Sequence, residues 1–371
     1  MWRWVCALVV VAGCWSDDPL VDGELTAAQL AHFREQFHHT AFDPCALPPG
    51  VDCNKAAQLG QELFFDVRLS DSGTGSGSDY RPSAGTGKTS CATCHDPNGY
   101  FIDTRMPNSV SQGQTKWTRR NAMTLLDLQL KASLTNRFTW DGSYHTAGDV
   151  LTLAITKAMS AKTANVAYYL QHEPQYATLF WDAFGMADPY EGAKLAFDAY
   201  LYRLAGESPF DAYVDGDDTA LSADAKRGFG VFVGRGTCVE CHSGPALGDF
   251  VPRNTGVAQA GSASDAGAGS ADGDPADLGA FVTPSLRNIA MTGPYMHAGQ
   301  LASLSAVIDF YRRGGDATSF PGTKDPRMVA LELTDDDARD LEAFLVSLTD
   351  APVDASLRQK LCPAGSGSQC P

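Results

Sequence analysis

The strongest constraint in this sequence is a five-residue pattern, Cys-x-x-Cys-His, that occurs at residues 91–95 and again at 238–242. Two thiols three residues apart lie on one helical turn, where each can form a thioether with a haem vinyl group. The adjacent histidine is then placed to bind the iron. Two copies predict two covalently bound c-type haems with His95 and His242 as proximal ligands. The predicted attachment points are Cys91, Cys94, Cys238 and Cys241.

A glycine-rich run, "PSAGTGKTS", precedes the first motif and resembles a phosphate-binding loop. Such a loop needs a glycine five residues before Gly87, and Pro82 stands at that position. Proline has no N–H group to donate to a phosphate, and no strand pattern precedes the run. The composition instead predicts a flexible surface loop over residues 70–87.

The N-terminus has the pattern of an export signal. Arg3 precedes an apolar run, residues 4–11, that is too short to span a bilayer. The small residues before Cys14 are typical of a lipoprotein signal, so we interpret 1–13 as a signal peptide and Cys14 as the lipidated N-terminus. Ordinary cleavage nearby is the alternative. The mature protein is expected in the periplasm or cell envelope, with membrane contact only through the N-terminal lipid anchor.

Four further cysteines, Cys45, Cys53, Cys362 and Cys370, remain outside the signal and the haem motifs. In an oxidising compartment they predict two disulfides, for which three pairings are possible. The local pairs 45–53 and 362–370 are favoured because each would close a short loop.

The formal net charge of the chain is −16. A phosphate-neutralising surface needs a basic face, so this charge argues against nucleic acid as a partner. It is compatible with a cationic electron-donor protein.

Strand signals are few, and helical patterns dominate. Capping and apolar periodicity predict helices at 26–37, 55–65, 119–130, 148–163, 163–183, 190–205, 303–312 and 335–348, and one more that leads into the second haem motif. The predicted fold is mainly α, with two c-type cytochrome domains packed together and one covalently bound haem in each. A turn-rich segment at 207–218 separates domain 20–210 from domain 215–350, and a tail, 351–371, follows.

Longer segments surround the haem motifs: "LGQELFFDVRLS", "FTWDG", "GFGVFVGRGTCVECHSGP" and "FVTPSLRNIAMTGPYMHAGQLASLSAVIDFY". Over residues 55–350 these segments resemble the bacterial di-haem cytochrome c peroxidase and MauG-like family. In that family the N-terminal haem meets peroxide, the C-terminal haem passes or stores electrons, and a calcium ion lies between them. The resemblance also implies that residues 71–90 are an insertion before the first motif.

Individual residues carry family roles over to this sequence. Trp140 matches the tryptophan between the haems, whose indole relays electrons. Asn121, with Thr292 and Pro294 acting through main-chain carbonyls, matches the calcium ligands, and such hard oxygen donors suit Ca²⁺. His297 matches a histidine between the haems and is read as a structural or proton-network residue.

Tyr311 matches the position of the distal ligand of the C-terminal haem. Peroxidases carry a methionine at this position and MauG-like members a tyrosine. Phenolate favours ferric and higher oxidation states, whereas methionine raises the reduction potential. Met291, Met296 and Met328 are rivals by residue type, but their register differs from the family's.

The peroxide side of the N-terminal haem departs from the family pattern. Residues 96–139 contain no histidine, and Val150 and Ser160 stand where the peroxidases have a glutamine and a glutamate. Three hypotheses follow. Another residue substitutes for the missing acid–base groups, or an extra ligand caps the iron, or a water relay supports a slow reaction. The candidate substitutes are Asp149, Lys157 and His145, and the candidate ligands are Met159 and His145.

Arg287 and Asn288, in "SLRN", are expected to anchor their loop or to contact haem propionates through charge-assisted hydrogen bonds. Both interpretations remain open from the sequence.

Together these patterns predict an exported di-haem oxidoreductase. It would reduce hydrogen peroxide with electrons passed from the C-terminal haem to the N-terminal haem, or oxidise a partner protein as MauG-like members do. The expected partners are a small electron-donor protein (cytochrome c or cupredoxin) or a protein substrate, and a homodimer is left open. Because the usual distal residues are missing, a non-catalytic di-haem electron carrier is the alternative, and a haem-based redox sensor is a third reading.

Overall fold

The structure, a computed structural model, describes residues 20–21, 25–39, 45, 47–105, 119–185, 188–259 and 264–361. The predicted lipidation site, Cys14, and the predicted pair Cys362 and Cys370 lie outside these residues. Within them, Cys45 and Cys53 form a disulfide with an S–S distance of 1.94 Å. The local pairing predicted for these two cysteines is therefore confirmed.

The described part of the chain is mainly helical, as predicted. Its helices are α1 (Ala27–Phe37), α2 (Cys53–Phe64), α3 (Cys91–Cys94), α4 (Leu128–Leu134), α5 (Ala147–Leu153), α6 (Ala164–His172), α7 (Pro174–Phe184), α8 (Pro189–Leu201), α9 (Pro209–Val214), α10 (Ala223–Val233), α11 (Leu304–Arg312) and α12 (Asp335–Val346). The strands pair as short antiparallel ladders: β1 (Leu20–Val21) with β2 (Leu25–Thr26), β3 (Gly73–Thr74) with β4 (Arg81–Pro82), and β5 (Pro252–Arg253) with β6 (Phe281–Val282).

Two hydrophobic cores correspond to the two haem motifs. The first core is built mainly from α2 and α5–α8, and the second from α9–α12. Helix α1 begins with a capping box between Thr26 and Gln29, and its buried Phe37 packs in the second core against Phe210 and Phe229. The segment before residue 40, assigned from the sequence to the N-terminal domain, thus contributes to the C-terminal core.

Each core contains a close helix pair. Helix α2 packs along α8, and α10 packs along α12. A Cβ atom at Gly60 would clash with the Ala196 carbonyl oxygen, and one at Gly228 would clash with the Asp340 carbonyl oxygen. Glycine at these two positions therefore permits the backbones to approach.

Three local expectations were wrong. Residues 119–127 are not helical, because their backbone bonds to distant segments: the Asn121 amide donates to the His297 carbonyl and the Asp127 amide to the Leu204 carbonyl. The helix expected at 163–183 is divided into α6 and α7, with Pro174 as the first residue of α7. The segment 207–218 contains α9, which Ser208 caps.

The loop before the first motif is also more ordered than its composition predicted. Tyr80 is 3% exposed, and its hydroxyl donates to the Asn165 side chain at 2.6 Å. Asp71 is 1% exposed, and it accepts hydrogen bonds from the Gly87 amide at 2.5 Å and the Tyr169 hydroxyl at 2.5 Å. The glycine-rich run is thus tied to the N-terminal core by buried polar contacts.

Replacing Gly60 by alanine is expected to destabilise the protein by about 1–3 kcal/mol, because the added methyl forces two packed helices apart. In an exposed helix the same change stabilises by about 1 kcal/mol, so the sign reports the close contact. Urea unfolding measures the difference. Gln58→Ala, on the exposed side of the same helix, is the control and should change stability by less than about 0.5 kcal/mol. An alanine variant as stable as wild type would contradict the contact.

Asp198 of α8 predicts a pH dependence of stability. It is buried, and its carboxylate accepts a hydrogen bond from the Gly148 amide of α5 at 2.7 Å. Burial raises its pKa to about 7, and the Gly148 bond only partly offsets this. The folded protein therefore keeps a proton that the unfolded chain releases, so this group's contribution falls as pH rises from about 4 to 7.

We expect Asp198→Asn to gain about 2–3 kcal/mol relative to wild type between pH 5 and pH 8, at about 1.4 kcal/mol per unit of pKa shift. Urea unfolding of both proteins at the two pH values tests this. Asp182→Asn, on the exposed face of α7, is the control. A gain that is equal at both pH values would show that Asp198 is already ionised in the folded protein.

Candidate functional site

A continuous cavity of about 1200 Å³ is lined by residues of both halves, including all residues of the two Cys-x-x-Cys-His motifs that bear the predicted haem contacts. Sites for single small molecules occupy roughly 300–1,000 Å³. The cavity is large enough to suit two large cofactors, and both predicted proximal histidines line it.

The first motif forms the one-turn helix α3, in which Ser90 and Thr93 make a capping box. His95 follows, with its Nδ1 3.0 Å from the Phe101 carbonyl oxygen. A nitrogen in this contact carries the hydrogen, which leaves the Nε2 lone pair for a metal. Burial lowers the pKa of His95, which favours the neutral imidazole required for iron binding.

The second motif repeats this arrangement on a different local structure. Residues Cys238–Glu240 form a 3₁₀ turn, and the Nδ1 of His242 lies 3.0 Å from the Leu247 carbonyl oxygen. Burial lowers the pKa of His242 as well. Both imidazoles are thus held through Nδ1 by the loop that follows the motif.

The donor set fits two c-type haems. The four motif cysteines line the cavity, and neither pair is joined as a disulfide. Each motif therefore offers two thiols for thioether attachment and one neutral imidazole nitrogen for iron.

Tyr311 of α11 lines the same cavity as the second motif. Its pKa is raised first by burial and then by the neighbouring Cys238 and Cys241 sulfurs, so the phenol lies close to the haem attachment point. Of the rival methionines, Met296 and Met328 also line the cavity, whereas Met291 is 46% exposed and is not part of the lining. The assignment of Tyr311 as distal ligand stays a prediction that this placement supports.

Trp140 lies at a junction between the two halves. Its indole Nε1 donates to the Asn121 carbonyl at 2.9 Å, and its own carbonyl accepts from the Val282 amide at 2.8 Å. The Asn121 side chain reaches the Pro294 carbonyl at 3.1 Å, and Thr292 lines the same cavity. The predicted electron relay and the predicted calcium ligands are therefore neighbours.

In the part of the chain that the structure describes, no cluster of three or more His, Cys, Asp or Glu side chains is arranged for a metal ion. A calcium ion at Asn121 would accordingly rest on amide and main-chain oxygens, as the sequence resemblance implies. Calcium binding stays a prediction.

The N-terminal part of the cavity is walled by α5 and the π-helical turn Ala154–Ala158 that follows it. Single π turns often occur at functional sites. Of the three candidate acid–base residues, Lys157 lines the cavity. Asp149 pairs with Lys194 at 3.3 Å, and His145 is exposed with its Nδ1 3.2 Å from the Asn136 carbonyl oxygen. Neither of these two is part of the lining.

Met159, the candidate extra ligand, directly follows the π turn. It is 3% exposed, lines the cavity and belongs to the N-terminal core. This position is compatible with a role in the core and with a role as iron ligand. His145, the other candidate ligand, does not line the cavity.

His297 is buried and stacked on Phe281, with ring centroids 3.8 Å apart. Burial lowers its pKa to about 4, an effect that Asp265 only partly reverses. Its carbonyl receives the Asn121 amide at 2.7 Å. A neutral, stacked ring with these contacts fits the structural role expected from the sequence.

Arg287 anchors its loop within the C-terminal half. Its guanidinium donates to Asp211 at 2.6 and 2.9 Å in buried surroundings, and to the Pro245 carbonyl at 2.8 Å. Asn288, fully buried, donates to Asp127 at 3.1 Å and to Asp350 at 2.8 Å. Of the two roles left open by the sequence, both residues therefore have contacts that fit loop anchoring.

Lys131 of α4 was missed in the sequence. It is 7% exposed, lines the cavity, and lies over the rings of Phe138 and Phe250. The available signal was a single lysine within the apolar helical run "LQLKASL". Asp127 lies four residues earlier, the spacing of a helical ion pair, so the sequence by itself offers this lysine a partner.

Comparison with known proteins agrees with the two-haem geometry. Residues 54–219 match the di-haem cytochrome c peroxidase family. Over 366 residues the chain is 35% identical to the methylamine utilization protein MauG of Methylorubrum extorquens, covering 95% of this chain and 96% of that protein. The protein belongs to the di-haem cytochrome c peroxidase family.

Further relatives of this di-haem peroxidase-type oxidoreductase span both branches. The chain is 31% identical over 303 residues to cytochrome c551 peroxidase of Pseudomonas aeruginosa, covering 79% of this chain and 78% of that protein. A crystal structure of a MauG-like protein associated with microbial copper homeostasis superposes with a TM-score of 0.69 at 29% identity, covering 82% of this chain and 93% of that one. The mainly helical fold and the two-haem content implied by the sequence are thereby confirmed at the level of the family.

Replacing Tyr311 by phenylalanine tests the distal ligand. We expect the visible and electron paramagnetic resonance spectra of the C-terminal haem to change, because an oxygen ligand is lost while both haems stay attached. Tyr295→Phe, which alters a second cavity-lining phenol, is the matched control and should leave the spectra unchanged. Unchanged spectra in Tyr311→Phe, with a change in Met296→Leu or Met328→Leu, would assign the ligand to that methionine instead.

Proposed function

We propose that this protein is a peroxide-dependent di-haem oxidoreductase in which His242 and Tyr311 hold the C-terminal haem and His95 holds a reactive N-terminal haem. The carrying observation is the half-buried Tyr311 phenol beside Cys238 and Cys241, in the cavity that His242 lines. A phenolate ligand favours ferric and higher oxidation states, which suits the MauG-like branch of the family. The bound haems supply the peroxide and electron-transfer chemistry, and the protein supplies ligands, orientation and proton control.

Trp140 is proposed as the relay between the two haems. Its indole is fixed by the Asn121 carbonyl, and its backbone by the Val282 amide from the other half. Arg120 adds a charge link here, because it pairs with Asp141 at 2.6 Å and with Asp265 at 2.7 Å. These contacts hold the ring in one orientation at the junction, as a relay requires.

Lys157 is proposed to take part in peroxide activation. Heterolysis requires a group that moves a proton between the two peroxide oxygens. Lys157 is the candidate side chain that reaches the N-terminal part of the cavity. An ammonium donates hydrogen bonds but accepts none, so it assists the leaving oxygen better than it removes the first proton. Slow peroxide turnover is the expected consequence.

The proposed reaction draws electrons through the C-terminal haem from a small donor protein, or from a protein substrate that is oxidised. The formal charge of −16 favours a cationic partner. We place the protein in the periplasm or cell envelope, with Cys14 as the lipid anchor. This location is supported by the signal pattern and by the Cys45–Cys53 disulfide, which is typical of oxidising compartments. No helix in the described residues is long and apolar enough to cross a membrane.

A non-catalytic electron carrier is the second candidate, and Met159 is the observation that favours it. Its buried side chain on the cavity wall offers a thioether to the N-terminal iron. Iron with two protein ligands would have no position open for peroxide, so the two candidates differ in the coordination of a single haem.

The purified ferric protein distinguishes these functions. We expect a high-spin signal from the N-terminal haem and a spectral change when hydrogen peroxide is added. Lys157→Met should slow the peroxide reaction about 100-fold, at the lower end of general acid–base contributions. Lys162→Met, five residues further along and outside the cavity lining, is the matched control. The electron-carrier function would be established instead by two low-spin haems whose spectra do not change with peroxide, together with a high-spin signal that appears only in Met159→Ala.

A further inference from the structure

Lys131 is a buried cation at the contact between the two halves of the molecule. Its ammonium lies 5.0 Å from the ring centroid of Phe138 and 5.1 Å from that of Phe250. Phe138 belongs to the N-terminal core, and Phe250 follows the second haem motif in a small cluster with Leu130. The side chain is 7% exposed and lines the cavity that both motifs share.

No carboxylate of the described residues pairs with this ammonium. Asp127, one helical turn earlier, is in the position from which a helical ion pair usually forms. Its carboxyl group instead receives the Asn288 amide at 3.1 Å, and Asn288 also bonds Asp350. Burial lowers the pKa of Lys131 to about 8, and no acidic neighbour among the described residues opposes this effect.

Lys131 differs in this respect from three of the arginines that line the cavity. Arg120 pairs with Asp141 and Asp265, Arg253 with Asp249, and Arg327 with Asp325. A buried charge without a partner costs several kcal/mol, and contacts with aromatic faces offset only part of that cost. Lys131 is thus a buried cavity cation for which the described residues provide no anion.

We propose that Lys131 pairs with a propionate group of one of the two haems and raises that haem's reduction potential. Haem propionates are the anions that the cofactors bring into this cavity, and a lysine at its wall presents three N–H donors to a carboxylate. A positive charge near the iron favours the ferrous over the ferric state. The inference requires bound haem but no peroxide chemistry, so it stands or falls independently of the proposed function.

Redox titration of the holoprotein tests this pairing. Lys131→Met and the polar, neutral Lys131→Gln remove the charge, whereas Lys131→Arg keeps it. Both neutral variants should retain two covalently attached haems, measured as pyridine haemochromes, because the thioethers are unaffected. We expect the ferrous-to-ferric ratio of one haem to fall about tenfold at fixed potential, the order expected for one charge near a buried centre. For a one-electron couple this is a fall of about 59 mV.

Two controls separate charge from packing. Lys131→Arg should keep the wild-type potentials, and Lys55→Met, which removes an exposed lysine paired with Asp182, should also leave them unchanged. The proposal is overturned if both neutral variants titrate like wild type. It is also overturned if Lys131→Arg shifts a potential as far as Lys131→Met does, since the effect would then come from packing. Lys131→Gln provides the measurement should the methionine variant fail to fold.

Discussion

Each predicted proximal histidine is oriented in the cavity by a hydrogen bond to a main-chain carbonyl of the loop that follows it. His95 bonds to Phe101 and His242 to Leu247, each at 3.0 Å. Because Nδ1 is committed in this way, the ring cannot turn and Nε2 stays available to iron. Each of these loops also contains an ion pair. Asp103 pairs with Arg105 and Asp249 with Arg253, each at an N–O distance of 2.6 Å. Each predicted haem site therefore comprises the motif and the ten or so residues that follow it.

The two halves are joined where the relay is expected. The Asn121 amide reaches the His297 carbonyl, and the Val282 amide reaches the Trp140 carbonyl, so each half supplies one donor across the junction. The Arg120–Asp265 pair adds a charge contact to these bonds. Moving one half relative to the other would therefore displace the tryptophan. If Trp140 is the relay, as proposed, electron transfer between the haems would depend on the same contacts as the stability of the junction.

What could be predicted from the sequence is the chemistry that local spacing carries. The two haem motifs, the Thr26 cap of α1 and the position of Tyr311 on α11 depend on residues close together in the chain. The path of 119–127 could not be predicted, because the hydrogen bonds that hold it end at Leu204 and His297. The unpaired environment of Lys131 could not be predicted for a similar reason. Asp127, its expected helical partner, accepts a hydrogen bond from Asn288 of the other half. Long-range partners decided both outcomes.

The π turn gives the N-terminal site its chemical character. The Met159 amide bonds to the Ala154 carbonyl, five residues earlier, so one extra residue is inserted before the chain leaves the cavity wall. This insertion places Met159 in the buried core and leaves Lys157 exposed at the lining. The preceding part of the same wall carries the apolar side chains of Val150, Leu151 and Ala154. The lining residues between 147 and 159 supply one ammonium, that of Lys157, and no carboxylate, so this part of the wall is poorly equipped to remove a proton from peroxide. A wall that removes this proton poorly fits the proposed slow oxidation of a partner better than rapid peroxide removal.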